Sequence, residues 1–249
     1  GLVAEVQQLL REAHDPELSR EMRSDALLSA VSNGHIEVVE LLLSAGVDLE
    51  HRGANMQSTA LMIASLQGSV AIVQLLLDCG ADLQATRFPN QTAMTIAAEK
   101  GNVEVLDLLL ERSGLDYNNG TEENKSFLEL LLRRAAYYGR VEVVRLLAAR
   151  SVALDRPDLK GLTALTWAAM GVNAGETTAL LLQLCPGVLE HMSHLGETAL
   201  IVAARDYKVE VVRVLLQHGA FVIHQNNDGD TALHKVCQYY WRNRTLVIQ

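Results

Sequence analysis

The sequence predicts an all-α solenoid, in which helix-turn-helix units stack in a row and carry projecting β-hairpin loops. The first observation is a repeated triplet, Thr-Ala-Leu or Thr-Ala-Met, which begins at Thr59, Thr92, Thr163, Thr198 and Thr231. The second is that two short amphipathic segments follow the triplet. Helices of about ten residues are marginal alone, so the units must stack on one another to bury their apolar faces.

Residues 59–80 show the pattern of one complete unit. The stretch TALMIASLQG predicts a first helix, because the Thr59 hydroxyl can accept a backbone N–H at its start and Gly68 can adopt the left-handed conformation at its end. The stretch SVAIVQLLLDCG predicts a second helix that ends at Gly80. Apolar residues recur on one face of each helix, which predicts that both helices pack against neighbouring units.

The same frame divides the whole chain into repeats. A copy starts at Asp25-Ala26-Leu27, and most of GHIEVVELLLSAG at 34–46 returns as GRVEVVRLL at 139–147. Because neither end supplies a clear polar outer face, we expect a fragment of a longer protein. We predict a single array with repeats at 20–52, 53–86, 87–119, 120–157, 158–192 and 193–225, a partial repeat at 1–19 and a truncated repeat at 226–249.

Two of these repeats are irregular. The polar insertion YNNGTEENKS at 117–126 precedes the fourth complete repeat, and AAMGVNAGETTALLL at 168–182 displaces the glycine of the fifth. Insertions in repeat proteins map to loops on one face. We therefore expect loops in both places, and weaker packing there than in residues 59–110.

The repeated motifs resemble the ankyrin repeat. The best matches are GDTALHKV at 229–236, GHIEVVELLLSAGVD at 34–48 and LLLDCGAD at 75–82, and the resemblance covers essentially the whole chain. Ala replaces the proline of the family triplet, and the histidine of the motif survives only as His234. The resemblance implies a protein-interaction module whose hairpin tips, and the two positions after each pair of small residues, face the concave side.

Composition excludes several other classes of function. The net charge of −9 and the pI near 5.4 disfavour nucleic acids and anionic membranes as partners. No apolar run reaches the 18 residues of a membrane span. The cysteines, Cys79, Cys185 and Cys237, are odd in number and far apart, which favours a reducing compartment. We expect an intracellular protein, cytoplasmic or nuclear.

No combination of residues predicts catalysis, a cofactor or a metal. His191-Met-Ser-His194 near Cys185 lacks the closely paired ligands of a zinc site, and we expect both histidines to face water. Cys237 holds the second small-residue position of its repeat, so we expect its sulfur to be packed rather than reactive. The chain is therefore predicted not to be an enzyme and to bind no small-molecule substrate.

Aromatic residues and the variable positions after the paired small residues indicate where a partner binds. Tyr137 and Tyr138 both occupy such positions near the middle of the array, and tyrosine is enriched at interfaces. Trp167 precedes its pair of alanines, so we expect it in the core. The predicted partner-binding residues are Leu66, Gln67, Phe88, Glu99, Lys100, Tyr137, Tyr138, Arg205, Asp206, Gln238 and Tyr239.

The function predicted from the sequence is binding of another protein or peptide in the concave groove and at the hairpin tips. Helix spacing of about 9 Å gives a groove on the order of 60 Å long. One alternative is the targeting or autoinhibitory part of a larger enzyme whose catalytic part lies outside this sequence. Another is a substrate role, because LLLERSGLDYN, which ends at Asn118, resembles the family site of asparaginyl hydroxylation.

Overall fold

The structure of the protein is a computed structural model that describes residues 16–53, 57–87 and 91–245, with side chains from residue 20 to residue 238 within those ranges. It confirms the prediction of an all-α fold. The described α-helices are α1 (Pro16–Ser32), α2 (Ile36–Ser44), α3 (Ala60–Gln67), α4 (Val70–Asp78), α5 (Ala93–Lys100), α6 (Val103–Ser113), α7 (Glu122–Tyr137), α8 (Val141–Ala149), α9 (Ala164–Met170), α10 (Gly175–Leu184), α11 (Ala199–Arg205), α12 (Val209–Gln217) and α13 (Ala232–Thr245). A short 3-10 helix, Pro186–Val188, follows α10.

The chain divides into two compact units, residues 1–115 and 116–249. In the first unit, α1, α3 and α5 pack side by side as an inner row, and α2, α4 and α6 pack as an outer row. In the second unit the inner row is α7, α9, α11 and α13, and the outer row is α8, α10 and α12. Each inner helix from α1 to α11 also packs against the outer helix that follows it.

Threonine caps set the start of the inner helices. The Thr59 hydroxyl accepts the Met62 N–H, and the Thr163 hydroxyl accepts the Thr166 N–H, both at 3.4 Å. A side-chain oxygen at this position satisfies an N–H that the helix itself leaves without a partner. The predicted role of the triplet threonine as a helix cap is therefore confirmed.

The core lies between the rows, and the third residue of each triplet shows its regularity. The residue after the triplet alanine is at most 3% exposed in five repeats: Leu27, Leu61, Met94, Leu165 and Leu200. Burying an aliphatic side chain of this size contributes about 1.5–3 kcal/mol. The stack is thus held by one such layer per repeat.

The expectation of a loop at 117–126 holds for residues 117–121 and was wrong for residues 122–126, which are helical. Thr121 caps a helix by accepting the Asn124 N–H at 3.3 Å, and the helix runs without a break from Glu122 to Tyr137. Glu122 and Glu123 lie in its first turn, where acidic side chains favour the helix dipole. The second half of the insertion therefore lengthens α7, whereas α5 and α9 have only 8 and 7 residues.

Regular β structure is sparse in the described residues. An isolated antiparallel bridge joins Arg87 and Gln91. Among the described helices, none combines the length and the apolar character that crossing a bilayer takes.

Candidate partner-binding surface

Three aromatic side chains meet at the C-terminal end of α7, and we call Tyr137, Tyr138 and Trp167 the aromatic cluster. The ring centroids of Tyr137 and Tyr138 lie 5.1 Å apart with an interplanar angle of 83°. Those of Tyr137 and Trp167 lie 6.1 Å apart at 73°. Both pairs have the edge-to-face geometry that aromatic quadrupoles favour. All three side chains are half-buried, so each ring is held by its neighbours and still meets solvent.

Two glycines allow the backbone after α9 to approach the C-terminal end of α7 closely. The Val172 N–H donates to the Tyr137 carbonyl at 2.8 Å, and a Cβ on Gly171 would collide with that carbonyl oxygen. Gly139 has φ +67°, and a Cβ there would lie 2.6 Å from the Asn173 oxygen. The displaced glycine of the fifth repeat therefore fixes the position of Tyr137.

Trp167 is anchored by a carboxylate in the loop that precedes α9. Its indole Nε1 donates to Asp158 Oδ2 at 3.1 Å, and Asp158 Oδ1 accepts the N–H groups of Lys160 and Leu162 at 2.8 and 2.9 Å. Burial alone would raise the pKa of the Asp158 carboxyl. The three hydrogen bonds and the nearby Arg133 charge outweigh burial, so the pKa is held below its ordinary value.

The structure corrects the expectation that Trp167 belongs to the core. The side chain is half-buried, because its N–H reaches Asp158 at the surface instead of entering the apolar layer. The sequence carried a signal for this placement, since an indole N–H needs a partner and an acidic residue lies nine positions earlier.

A buried charge network lies on α7, two turns before the aromatic cluster. Glu129 is only 4% exposed, and its Oε1 accepts the Tyr117 hydroxyl at 2.9 Å and lies 3.3 Å from an Arg156 guanidinium nitrogen. Its Oε2 lies 3.8 Å from Arg133. Burial lowers the pKa of Arg133 and raises that of Tyr117. A buried carboxylate needs such partners, because an unpaired charge in an apolar medium is very costly.

Sequence reasoning missed this network. Arg156 joins it to a second carboxylate, Glu122, at 2.7 Å, so the loop before α9 is tied to the first turn of α7. These contacts depend on the helical half of the insertion, which places Glu122 and Glu129 two turns apart on α7, and on the turn before it, which carries Tyr117. An insertion that formed a loop from 117 to 126 would not make these contacts.

In the first unit, the predicted residues differ in how much surface they present. Leu66 packs on the apolar cluster of Met62, Ala85 and Ile96. Gln67 is exposed and donates to the Ser32 carbonyl at 3.3 Å. The other two predicted residues of this unit differ in burial. Lys100 is exposed, whereas Glu99 is buried and its carboxylate accepts a hydrogen bond from Gln91 Nε2 at 3.1 Å.

In the second unit, the predicted polar residues are paired within the chain. Arg205 donates to both carboxylate oxygens of Glu197, at 2.9 and 2.8 Å, and to Asp206 at 3.0 Å. Gln238 is exposed and donates to Asp230 at 2.9 Å. The side chains of Phe88 and Tyr239 lie outside the described residues. Among the described members of the set, Tyr137 and Tyr138 lie side by side, and Arg205 and Asp206 are hydrogen-bonded to each other.

The sequence predicts a packed thiol at Cys237 and imidazoles that face water at His191 and His194. Cys237 is exposed, so the expectation of a packed sulfur was wrong, because no described helix covers that side of α13. His191 is half-buried beside the Gly161 carbonyl at 3.2 Å, and only His194 is exposed. Across residues 16–53, 57–87 and 91–245, no group of three or more His, Cys, Asp or Glu side chains has the arrangement of a metal site.

The paired rows of short helices define a helical-repeat protein. The family model described as Ankyrin repeats (3 copies) matches residues 2–87, 57–121 and 172–248. The chain therefore belongs to the ankyrin-repeat family. The matches leave out residues 122–171, the stretch that carries the aromatic cluster and most of the charge network.

Similar proteins agree with that assignment. The ankyrin repeat domain-containing protein SAT10 of Stachybotrys chartarum is 30% identical over 199 residues, which are 80% of this chain and 10% of that protein. The chain thus spans about a tenth of the length of that relative. The crystal structure of the human ASB11 ankyrin repeat domain has a TM-score of 0.66 and 26% identity, covering 84% of this chain and 90% of that one.

A second similar structure is the ankyrin repeat domain of Bcl-3, a member of the IkappaB protein family. It has a TM-score of 0.61 and 27% identity, and the match covers 84% of this chain and 92% of that one. Ankyrin repeats are generally protein-interaction modules and are typically not catalytic, and this holds for the family to which the chain belongs.

Proposed function

We propose that this chain is a non-catalytic module that binds a partner polypeptide, and that the aromatic cluster is its principal contact. The observation that carries the proposal is the placement of three half-buried aromatic rings at one inner-helix end. Tyrosine and tryptophan are enriched among the residues that dominate binding energies. Because their neighbours already hold these rings, little side-chain entropy is lost when a partner binds.

The exposed residues at the ends of other inner helices extend this proposed surface. Gln67, Lys100 and Asp206 occupy the same repeat position on α3, α5 and α11 and are exposed. We assign them secondary contacts within their own units, because isolated polar residues at an interface contribute less than aromatic anchors. The buried Glu99 is left out of the surface, since its carboxylate is already hydrogen-bonded.

The distribution of charge favours a basic partner for the first unit. Residues 1–115 contain 16 acidic and 7 basic side chains, whereas residues 116–249 contain 14 of each. The whole net charge of −9 therefore belongs to the first unit. A field of one sign speeds association with a partner of opposite charge.

A second candidate is a targeting or autoinhibitory module within a larger protein. The observation that favours it is that the curated relative is about ten times as long as the matched region. In that case the aromatic cluster contacts a polypeptide segment of the same protein rather than a separate partner.

Site-specific photo-crosslinking tests the proposal. A benzophenone amino acid replaces Tyr138, and in the control it replaces Leu184, which is exposed at the end of α10. After irradiation in lysate of the source organism, we expect a defined covalent adduct from position 138 that the control position does not give. Identical adduct patterns at the two positions would contradict the assignment.

A further inference from the structure

The turn before α7 contains the dipeptide Asn119-Gly120, and the sequence contains a second Asn-Gly pair at residues 33–34. Both asparagine side chains are exposed. An asparagine followed by glycine is the pair most prone to deamidation, because glycine has no Cβ to crowd its backbone nitrogen. Since the two pairs share this chemistry, the structure around each pair decides how fast it reacts in the folded protein.

The fold requires glycine at position 120. A Cβ on Gly120 would collide with the carbonyl oxygen of Asp116, where the chain turns back just before Thr121 caps α7. A larger residue at this position would crowd the backbone nitrogen and slow the deamidation of Asn119. The geometry that needs Gly120 therefore leaves Asn119 with its most reactive neighbour.

The side-chain amides of the two asparagines are held in the same way. Asn119 Nδ2 donates to Asp116 Oδ2 at 2.7 Å, and Asn33 Nδ2 donates to the Ser29 carbonyl at 2.8 Å. Each amide nitrogen thus has one acceptor close by. The two groups from which ammonia would leave are therefore matched.

The backbone nitrogens that would attack these amides differ. The Gly34 N–H donates to the Val31 carbonyl at 3.1 Å in the turn that ends α1, so attack by this nitrogen breaks a hydrogen bond. Among the residues that the structure describes, no backbone carbonyl accepts the Gly120 N–H. Attack by the Gly120 nitrogen therefore breaks no backbone hydrogen bond.

We propose that Asn119 is a site of spontaneous deamidation in the folded protein. The Gly120 nitrogen loses its proton to solvent and attacks Asn119 Cγ, so that a new Cγ–N bond forms. The Cγ–Nδ2 bond breaks, and the leaving nitrogen takes up a proton and departs as ammonia. Water then opens the cyclic imide to an aspartyl residue, or to an isoaspartyl residue whose main chain is longer by a methylene group. The net change is the gain of water and the loss of ammonia, without oxidation or reduction.

The modification would disturb the start of α7. It places a carboxylate beside Asp116, whose pKa the Asn119 hydrogen bond holds below its ordinary value, so two like charges would face each other. The longer isoaspartyl main chain would also displace Thr121, whose hydroxyl accepts the Asn124 N–H at 3.3 Å. We therefore expect the first turns of α7 to loosen. The site is separate from the aromatic cluster, so this proposal does not depend on the proposed function.

The experiment follows both Asn-Gly pairs in the same sample. The folded chain is incubated at neutral pH and digested, and mass spectrometry with chromatographic separation of the asparaginyl, aspartyl and isoaspartyl peptides gives the rate at each site. We expect Asn119 to react at least about fivefold faster than Asn33, because the attack at Asn33 must first open the Gly34 hydrogen bond. Incubation in urea is the control, since both turns are then unfolded and the two rates should become similar.

A substitution tests the effect on the helix. Asn119→Gln keeps a side-chain amide but reacts much more slowly, so it should remove the isoaspartyl product at this site. After long incubation, hydrogen exchange at residues 122–129 should be faster in wild type than in Asn119→Gln, whereas residues 70–78 of α4 should be unchanged.

The proposed site is overturned by any of three results: Asn33 reacts as fast as Asn119 in the folded chain, the ratio of the two rates stays the same in urea, or Asn119 gives no isoaspartyl product. Unchanged exchange in α7 of the modified protein would overturn the proposed effect on the helix.

Discussion

The indole of Trp167 is held by the carboxylate of Asp158, which lies 3.1 Å from Nε1 and also accepts two backbone N–H groups of its own loop. The contact joins the loop before α9 to the helix itself. It also keeps the indole at the surface, where it completes the aromatic cluster with Tyr137. One acidic residue thus links the stability of the loop to the geometry of the candidate site.

The first prediction concerns the pH dependence of this contact. The folded-state pKa of Asp158 is depressed, so its contribution to stability is present above the unfolded-state value of about 3.9 and is lost as the pH falls through the folded-state pKa. Asp158→Asn should therefore be less stable than wild type at pH 7, and the difference should shrink towards pH 3. Urea denaturation at both pH values measures it; a difference that does not change with pH would contradict the assignment.

The two tyrosines of the cluster should behave differently when truncated. Tyr137 has ring neighbours on both sides, so Tyr137→Ala should lower the free energy of unfolding by about 2 kcal/mol. Tyr138 contacts only one ring of the cluster, and Tyr138→Ala should cost about 1 kcal/mol or less. Thermal melts of the two variants give the comparison. Equal and large losses of stability in the two variants would mean that Tyr138 packs in the core and is not available to a partner.

Glycine at position 171 should be essential for the junction of the fourth and fifth repeats. Gly171→Ala places a methyl group against the Tyr137 carbonyl and breaks its hydrogen bond with Val172, so we expect a loss of about 2–3 kcal/mol. Gly187→Ala is the matched control, because a Cβ there meets nothing within 4 Å. Chemical denaturation of both variants tests this; similar stabilities would show that the close approach is not rigid.

Removal of the buried carboxylate of α7 should be the most disruptive change of those considered. Glu129→Ala removes the carboxylate that pairs with the buried Arg133 and accepts the Tyr117 hydroxyl, so we expect a loss of about 3 kcal/mol or more. The control, Glu142→Ala, removes an exposed carboxylate paired with Arg145 at 3.5 Å and should cost about 0.5 kcal/mol or less. Comparable effects of the two substitutions in denaturant melts would argue against a structural role for the network.

The sequence predicts those features of the fold that depend on local residue chemistry and recur in each repeat. Thr59 caps its helix, Gly68 is left-handed and Leu61 is buried, because each role follows from residue type and spacing. The helical half of the insertion was predictable in principle, since Thr121 followed by two acidic residues is a helix-start pattern. It was missed because insertions in repeat proteins usually form loops.

Features that depend on contacts between repeats could not be predicted from the sequence. The positions of Tyr137 and Trp167 are set by the close approach of Gly171 to α7, which no periodic pattern records. Cys237 is exposed although its repeat position is elsewhere buried, since burial depends on the next layer and not on the residue itself. Tyr207 replaces the usual glycine at φ 56°, and its hydroxyl donates to the Val236 carbonyl at 2.9 Å in the next repeat.

The central claim, that the aromatic cluster anchors a partner polypeptide, is tested most directly by the affinity of the crosslinked partner for three versions of the chain. Isothermal titration with wild type, Tyr138→Ala and the outer-row control Leu184→Ala should give a weakening of about 2 kcal/mol, roughly 30-fold in Kd, for the tyrosine variant alone. Equal affinities for wild type and Tyr138→Ala, with both proteins folded, would contradict the claim.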